Sequence, residues 1–304
     1  MSTQRHMGSP SAPTKLASAD YRKKLLSAVH LLPPLPTVLN QLLRILNDSN
    51  CTSGQIAAII EKDPVLSGSV LRCVNSAYYG LPSRVSSIRH SVTLLGFATV
   101  RNLAMAFSMR QMLAKPKLPA KNIFADYSQH SLGCAIMTQF LAHYTHSQDP
   151  EAAFAAGLFH DIGKLLMFTT LPEMVPVVLE HWEESGGSFE ESERELLHVT
   201  HSELSGIVLD KWKLPQAVRD ACRYHHDPAS CPEESNGGGS VSLAHLVHAS
   251  DLYVKSYGLE VLPSEKRPSE PPDEAFRQIG LEDSLPELLE RFKDEFQSIR
   301  DVFH

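Results

Sequence analysis

Apolar residues recur at three- and four-residue spacings along nearly the whole chain, and no stretch alternates with period two. After the Pro-rich run Leu32-Pro33-Pro34-Leu35-Pro36, the residues Val38, Leu39, Leu42, Leu43, Ile45 and Leu46 keep one helical face. Thr52 or Ser53 can cap a following helix carrying Ile56, Ile59 and Ile60. Asp63-Pro64 reads as an N-cap with proline at the first helical position. Ser86 or Ser87 opens another helix, through Val92, Leu94 and Leu95 to Val100, Leu103 and Ala104. Further helices are expected over about 122–144, 150–161, 200–212, 215–226 and 240–256, with Asp149-Pro150 and Thr200-His201-Ser202-Glu203 as start signals. No Asn-Gly or Asp-Gly pair sits between alternating runs, so β-hairpins are excluded. The chain is all-α.

Four segments follow. Residues 1–19, rich in Ser, Pro, Thr and Ala, form a flexible N-terminal arm. Residues 20–114 form an N-terminal helical half, and the linker Lys115-Pro116-Lys117-Leu118-Pro119 leads into a histidine-rich half, 115–258. Residues 259–304 are an acidic linker and a closing amphipathic helix, with Ser284 and Glu287 as capping box and a Leu285, Leu288, Leu289, Phe292, Phe296, Ile299 stripe. That stripe is expected to dock on the helical body. Glu183–Glu195, with Gly186-Gly187, reads as a polar turn flanked by helix, and Ser235–Ser240 as a flexible loop.

Charge and cysteine usage narrow the function classes. The net charge of −7 argues against a broad nucleic-acid surface. Its distribution is uneven, because 64–125 holds eight basic and no acidic residues, whereas 259–304 holds twelve acidic and six basic. The basic segment either steers an anionic ligand, with Arg84, Arg89 and Arg101 as candidates, or is a solvated face that can pair with the acidic tail. No run of 18 apolar residues and no apolar leader occurs, so no membrane span or export signal is expected. Five scattered cysteines without a C-x-x-C pair fit reduced thiols in a cytoplasm.

Histidine is the functional clue: eleven of fifteen lie between His130 and His248. His130 follows Asp126 by one helical turn, and His160-Asp161 ends a strongly apolar helix, where an ionisable pair is costly to bury without partners. His201 starts a helix, His225-His226 ends the next, and Asp251 lies on a later one. His198, His245 and His248 read as core or surface histidines.

In this order, His130, His160-Asp161 and Asp251 resemble the H…HD…D signature of the HD metal-dependent phosphohydrolase superfamily. More closely, residues 31–257 resemble the HDOD (HD-related output domain) family. The matching segments are 32–36, Glu61-Lys62-Asp63-Pro64, Asn75-Ser76-Ala77-Tyr78-Tyr79-Gly80, Leu94-Leu95-Gly96 with Arg101-Asn102-Leu103, and Tyr224-His225-His226-Asp227-Pro228. The resemblance implies an HD-domain-like helical bundle with an N-terminal helical subdomain, and a role in bacterial signalling and regulation. It extends to HD-GYP cyclic-di-GMP phosphodiesterases. By motif position, His130, His160, Asp161 and Asp251 would hold one metal, and Asp161 would bridge to a second held by His201, His225 and His226. Lys164 would lie beside the substrate phosphate, and Asp126 stands where some relatives place a third-metal carboxylate. The chain departs after His226, reading Asp227-Pro228-Ala229-Ser230 with no Gly-Tyr-Pro loop, which argues against cyclic-di-GMP hydrolysis.

The expectation is therefore two divalent transition-metal ions. Fe or Mn is favoured by a shared carboxylate without a cysteine ligand, and Zn, Co or Ni is compatible. Two functions follow: a signalling output module acting through a protein partner, or a metal-dependent phosphohydrolase on a nucleotide or other phosphoester, with Asp161 and Lys164 as catalytic groups.

Overall fold

In a computed structural model, residues 15–32, 34–45, 51–113, 121–145, 150–232, 241–262, 264, 266, 270–281 and 285–303 are described. Among them, helices connected by turns and short 3-10 segments account for the architecture, and no strand occurs. The helices are α1 (Lys15–Leu31), α2 (Thr37–Arg44), α3 (Ser53–Ile60), α4 (Pro64–Val74), α5 (Ile88–Leu95), α6 (Phe97–Leu113), α7 (Lys121–Tyr144), α8 (Pro150–Phe159), α9 (Ile162–Thr170) and α10 (Val175–Ser185). They continue as α11 (Phe189–Leu197), α12 (His201–Lys211), α13 (Gln216–Tyr224), α14 (Leu243–Ser256), α15 (Asp273–Gln278) and α16 (Leu285–Phe303). The linker 115–119, the loop 235–240, Asp149, Ser284 and residues 1–14 of the expected arm lie outside the described residues.

Local chemistry sets several helix starts. Asp63 Oδ1 accepts from the N–H groups of Val65 and Leu66 at 2.9 and 3.0 Å, with Pro64 at the first position of α4. Thr52, not Ser53, caps α3 and forms a reciprocal capping box with Gln55. At α12 only half of the expected box forms: Thr200 caps the N–H of Glu203, whose carboxylate instead meets Arg194 at 3.1 Å. Three boundaries differ from expectation. The helix expected from Ser86 onward is two, because Gly96 at φ 82° turns the chain between α5 and α6. Helix α1 starts at Lys15, inside the expected arm. Helix α9 directly follows a turn that carries His160 and Asp161, so this pair joins α8 to α9 and does not close a helix.

Helices α2–α6 pack on one another, and α7, α8, α9, α12, α13 and α14 form the second bundle. Helix α1 packs against α9, α11 and α12 of that bundle, and α16 lies across α7 and α4. Tyr78 donates to Glu295 at 3.2 Å, and the Ser76 and Ser298 hydroxyls meet at 2.8 Å, so the Asn75–Gly80 turn rests on α16. Leu288, Phe292, Phe296 and Ile299 are buried, and one continuous apolar core runs through both halves. No single helix among the described residues is long and apolar enough to cross a membrane.

Candidate metal centre

Two glycines pin the His160-Asp161 turn. A Cβ at Gly157 would collide with the Cys134 carbonyl, so α8 crosses α7 in backbone contact there. A Cβ at Gly163 would collide with the His201 carbonyl, and the Gly163 N–H donates to Ser205 Oγ at 2.9 Å. The turn is thereby held between the helix that bears His130 and the helix that opens with His201.

The side chains so placed form two groups that share Asp161. Around Asp161 Oδ2, the Nε2 atoms of His130 and His160 each lie at 3.5 Å and 3.2 Å from one another. Asp251 Oδ1 is 3.2 Å from His130 Nε2 and 3.8 Å from His160 Nε2. Around Asp161 Oδ1, His201 Nε2 lies at 3.3 Å and His225 Nε2 at 3.6 Å, and His226 Nε2 is 3.0 Å from His201 Nε2. His130, His160, Asp161, His201, His225 and Asp251 are completely buried, and His226 is half-buried.

The outer ring nitrogens explain this orientation. His130 Nδ1 is 2.8 Å from the Leu259 carbonyl, His160 Nδ1 2.8 Å from that of Gly157, and His225 Nδ1 2.8 Å from that of Cys222. His201 Nδ1 is 2.7 Å from Glu193 Oε2. A backbone carbonyl or an ionised carboxylate can only accept, so each Nδ1 carries a proton, and Nε2 is the inward atom of each ring, free to present its lone pair to a metal ion in any ring that is not doubly protonated. Inward-facing lone pairs and carboxylate oxygens repel unless a cation or proton lies between them. Accordingly Asp161 Oδ1, Asp251 Oδ1 and His225 Nε2 are buried without a hydrogen bond. Imidazole and carboxylate donors in this arrangement fit divalent transition ions, with the outer acceptors fixing each ring as metal-binding histidines require.

Two lysines neutralise the carboxylates. Lys164 Nζ lies 2.6 Å from Asp161 Oδ2, and Lys255 Nζ lies 2.6 Å from Asp251 Oδ2. Burial alone would raise both aspartates, but these cations and the neighbouring imidazoles hold them well below the usual carboxylate range. Burial keeps His201 and His226 well below the ordinary imidazole value and lowers His130 as well. His160 differs: burial opposes its charge, yet Asp161 and Asp251 raise it to about 9.

A cavity of about 730 Å³ opens onto the second group, lined by His201, His226, His248, Lys164 and Lys255, with Trp182 and Phe189 on its wall. Glu190, Glu191, Glu260 and Glu270 also line it.

Other sequence candidates lie elsewhere. Asp126 is half-buried one turn before His130 and joins none of the donor groups that could share an ion among the described residues. Arg84 and Arg89 are exposed on the N-terminal half and do not line the cavity. Arg101 does not belong to an exposed basic face: it is completely buried, with its guanidinium 5.4 Å from the Phe97 ring centre and beside Asn102 Oδ1. Its place on the inner side of α6 is the physical reason it cannot meet an incoming ligand there. His198 is an exposed C-cap of α11 at φ 56°, His245 interacts with the cap residue Ser242, and His248 donates from Nδ1 to the His225 carbonyl at 2.8 Å. Glu193, Lys255 and Cys134 escaped sequence reasoning. Lys255 stands one turn after Asp251 and Cys134 one turn after His130, spacings that mark a shared helix face. Glu193 was hidden in an acidic stretch that looks solvated.

The HDOD domain model matches residues 32–228. The chain belongs to the HDOD family. An HDOD domain protein of unknown function from Geobacter sulfurreducens superposes with a TM-score of 0.75 at 22% identity, covering 95% of this chain and 97% of the other. A protein from Shewanella amazonensis SB2B, provisionally named a phosphohydrolase, superposes with a TM-score of 0.71 at 25% identity, covering 92% and 98%. An uncharacterised Treponema pallidum (strain Nichols) protein is 25% identical over 224 residues, 73% of this HDOD chain. The chain spans 42% of that relative's length.

Proposed function

We propose that this HDOD protein is a metal-dependent phosphohydrolase that acts on a phosphoester, a nucleotide being one such substrate, through two divalent transition-metal ions. One observation carries the reading: the two oxygens of Asp161 face two separate histidine groups, at the end of a cavity large enough for a small phosphoester. His130, His160, Asp251 and Asp161 Oδ2 would hold the inner ion, and His201, His225, His226 and Asp161 Oδ1 the outer one. When bound there, such ions would supply Lewis-acid polarisation of a phosphoryl oxygen and a water made nucleophilic near neutral pH.

The chain's own residues then divide the remaining work. Asp161 fixes the spacing of the two positions. Glu193 and the carbonyls of Leu259, Gly157 and Cys222 keep the imidazoles in one tautomer. Lys164 and Lys255 line the cavity and supply positive charge to phosphate oxygens once an ion satisfies their carboxylates. The Trp182 and Phe189 wall offers a flat apolar surface beside the outer position.

A second reading is a regulatory module whose metal centre is structural and whose output passes to a protein partner. The complete burial of His130, His160 and Asp251 favours it, since a closed position suits a structural ion.

Elemental analysis of protein prepared without chelator, paired with turnover of a model phosphodiester, separates these readings. The hydrolase reading expects about two ions per chain and turnover, with both lost in Asp161→Asn. Full loading without turnover on any phosphoester tried leaves the regulatory reading. A well-folded wild-type chain that takes up no ion removes both.

A further inference from the structure

The inner donor group contains a side chain that neither function needs. Cys134 lies one turn after His130 on α7, fully buried, with Sγ 3.6 Å from His130 Nε2. One donor atom each from His130, Cys134, His160 and Asp251 lie within 4.8 Å of one another. Tetrahedral bonds of roughly 2.0 Å to nitrogen or oxygen and 2.3 Å to sulfur put neighbouring donors about 3.3–3.6 Å apart. The separations from His130, 3.2 Å to His160, 3.2 Å to Asp251 and 3.6 Å to Cys134, lie close to that pattern, and His160 to Asp251 is slightly wider at 3.8 Å. Asp251 Oδ1 is buried and without a hydrogen bond, and it points into the same group.

We infer that Cys134 is a thiolate ligand of the inner ion, added to the His130, His160, Asp251 and Asp161 Oδ2 donors. The inference rests on the metal-centre reading above. On coordination Cys134 gives its thiol proton to solvent and shares a sulfur lone pair with the ion, with no change of oxidation state. A thiolate favours Zn, Co or ferrous Fe over Mn. The inner position therefore departs from the Mn part of the preference drawn from a cysteine-free ligand set. Backbone contact between Gly157 and the Cys134 carbonyl fixes this thiol relative to His160.

The test loads the full chain anaerobically with Co(II) and follows bound cobalt and the near-ultraviolet thiolate-to-cobalt absorption. The band is expected in wild type and in Cys51→Ser, and absent from Cys134→Ser, with inner-site affinity about tenfold or more weaker. If Cys134→Ser does not fold, X-ray absorption of the wild-type cobalt protein decides, since a sulfur neighbour at about 2.3 Å is required. Cobalt bound in an Asp251-dependent manner without sulfur signature overturns the cysteine ligand and leaves the metal centre standing. No cobalt binding at all overturns both.

Discussion

One oxygen of Glu193, Oε2, lies 2.7 Å from His201 Nδ1 and 2.9 Å from the His201 backbone nitrogen. A single carboxylate thus fixes both the ring and the backbone at the start of α12, across the junction from α11. Because Glu193 is buried, substitution by the isosteric glutamine keeps the packing but weakens the grip on Nδ1–H. Glu193→Gln is expected to reduce outer-ion affinity about 10–100-fold, with the inner ion retained. Competition titration with a chromogenic chelator measures both affinities, and an unchanged outer site would remove the role given to Glu193.

Proton and metal compete at His160. Its folded value of about 9 lies above the ordinary 6.5, because Asp161 and Asp251 outweigh burial. The metal-free protein therefore carries a stabilising proton, fully present below pH 6.5 and lost as pH rises through about 9. Denaturant melts of metal-free protein should show stability falling across that window, while metal-loaded protein lacks this decline. Calorimetry in buffers of different ionisation enthalpy should also detect proton release on metal binding at neutral pH.

Gly163→Ala forces a methyl group into the His201 carbonyl, a backbone atom that cannot swing aside. The expected cost is about 1–3 kcal/mol, with loss of outer-ion binding before loss of the fold. Urea unfolding and metal content, measured together, check this. Equal loss of both ions would mean that the whole turn had moved.

Chelation should lower the melting temperature reversibly. Ions at 100 times their dissociation constant add about 2.7 kcal/mol to stability. Scanning calorimetry with and without chelator reads the difference. Asp161→Asn should melt at the same temperature in both, because neither position is then complete.

Much of this was legible in the chain. Asp63-Pro64 and the Thr52-Ser53 pair announced their helices, and the order of His130, His160, Asp161, His201, His225, His226 and Asp251, through its resemblance to the HD signature, implied a shared site. What escaped has physical causes. Helix α9 is apolar on nearly every side, since Ile162 through Phe168 are all buried, and so shows no amphipathic stripe to read. Glu193 is surrounded in sequence by solvated acids, yet it is buried beside His201 and close to the apolar Met167, Val178 and Leu197. Arg101 lies among basic residues that include the exposed Arg84 and Arg89, yet the inward turn of α6 at that position hides it. Asp126 shares the His130 helix face, but one turn of rise carries it out of the donor group.

His201 and His226 line the cavity, whereas His130, His160 and Asp251 do not. Ions approaching from the cavity would meet the two positions in series. On the two-ion reading the inner seat would fill first and empty last, and its occupant would leave by that route only while the outer seat was vacant. Two unlike metals supplied in sequence would then give a defined mixed pair, with the order of addition recorded in which ion lies deeper.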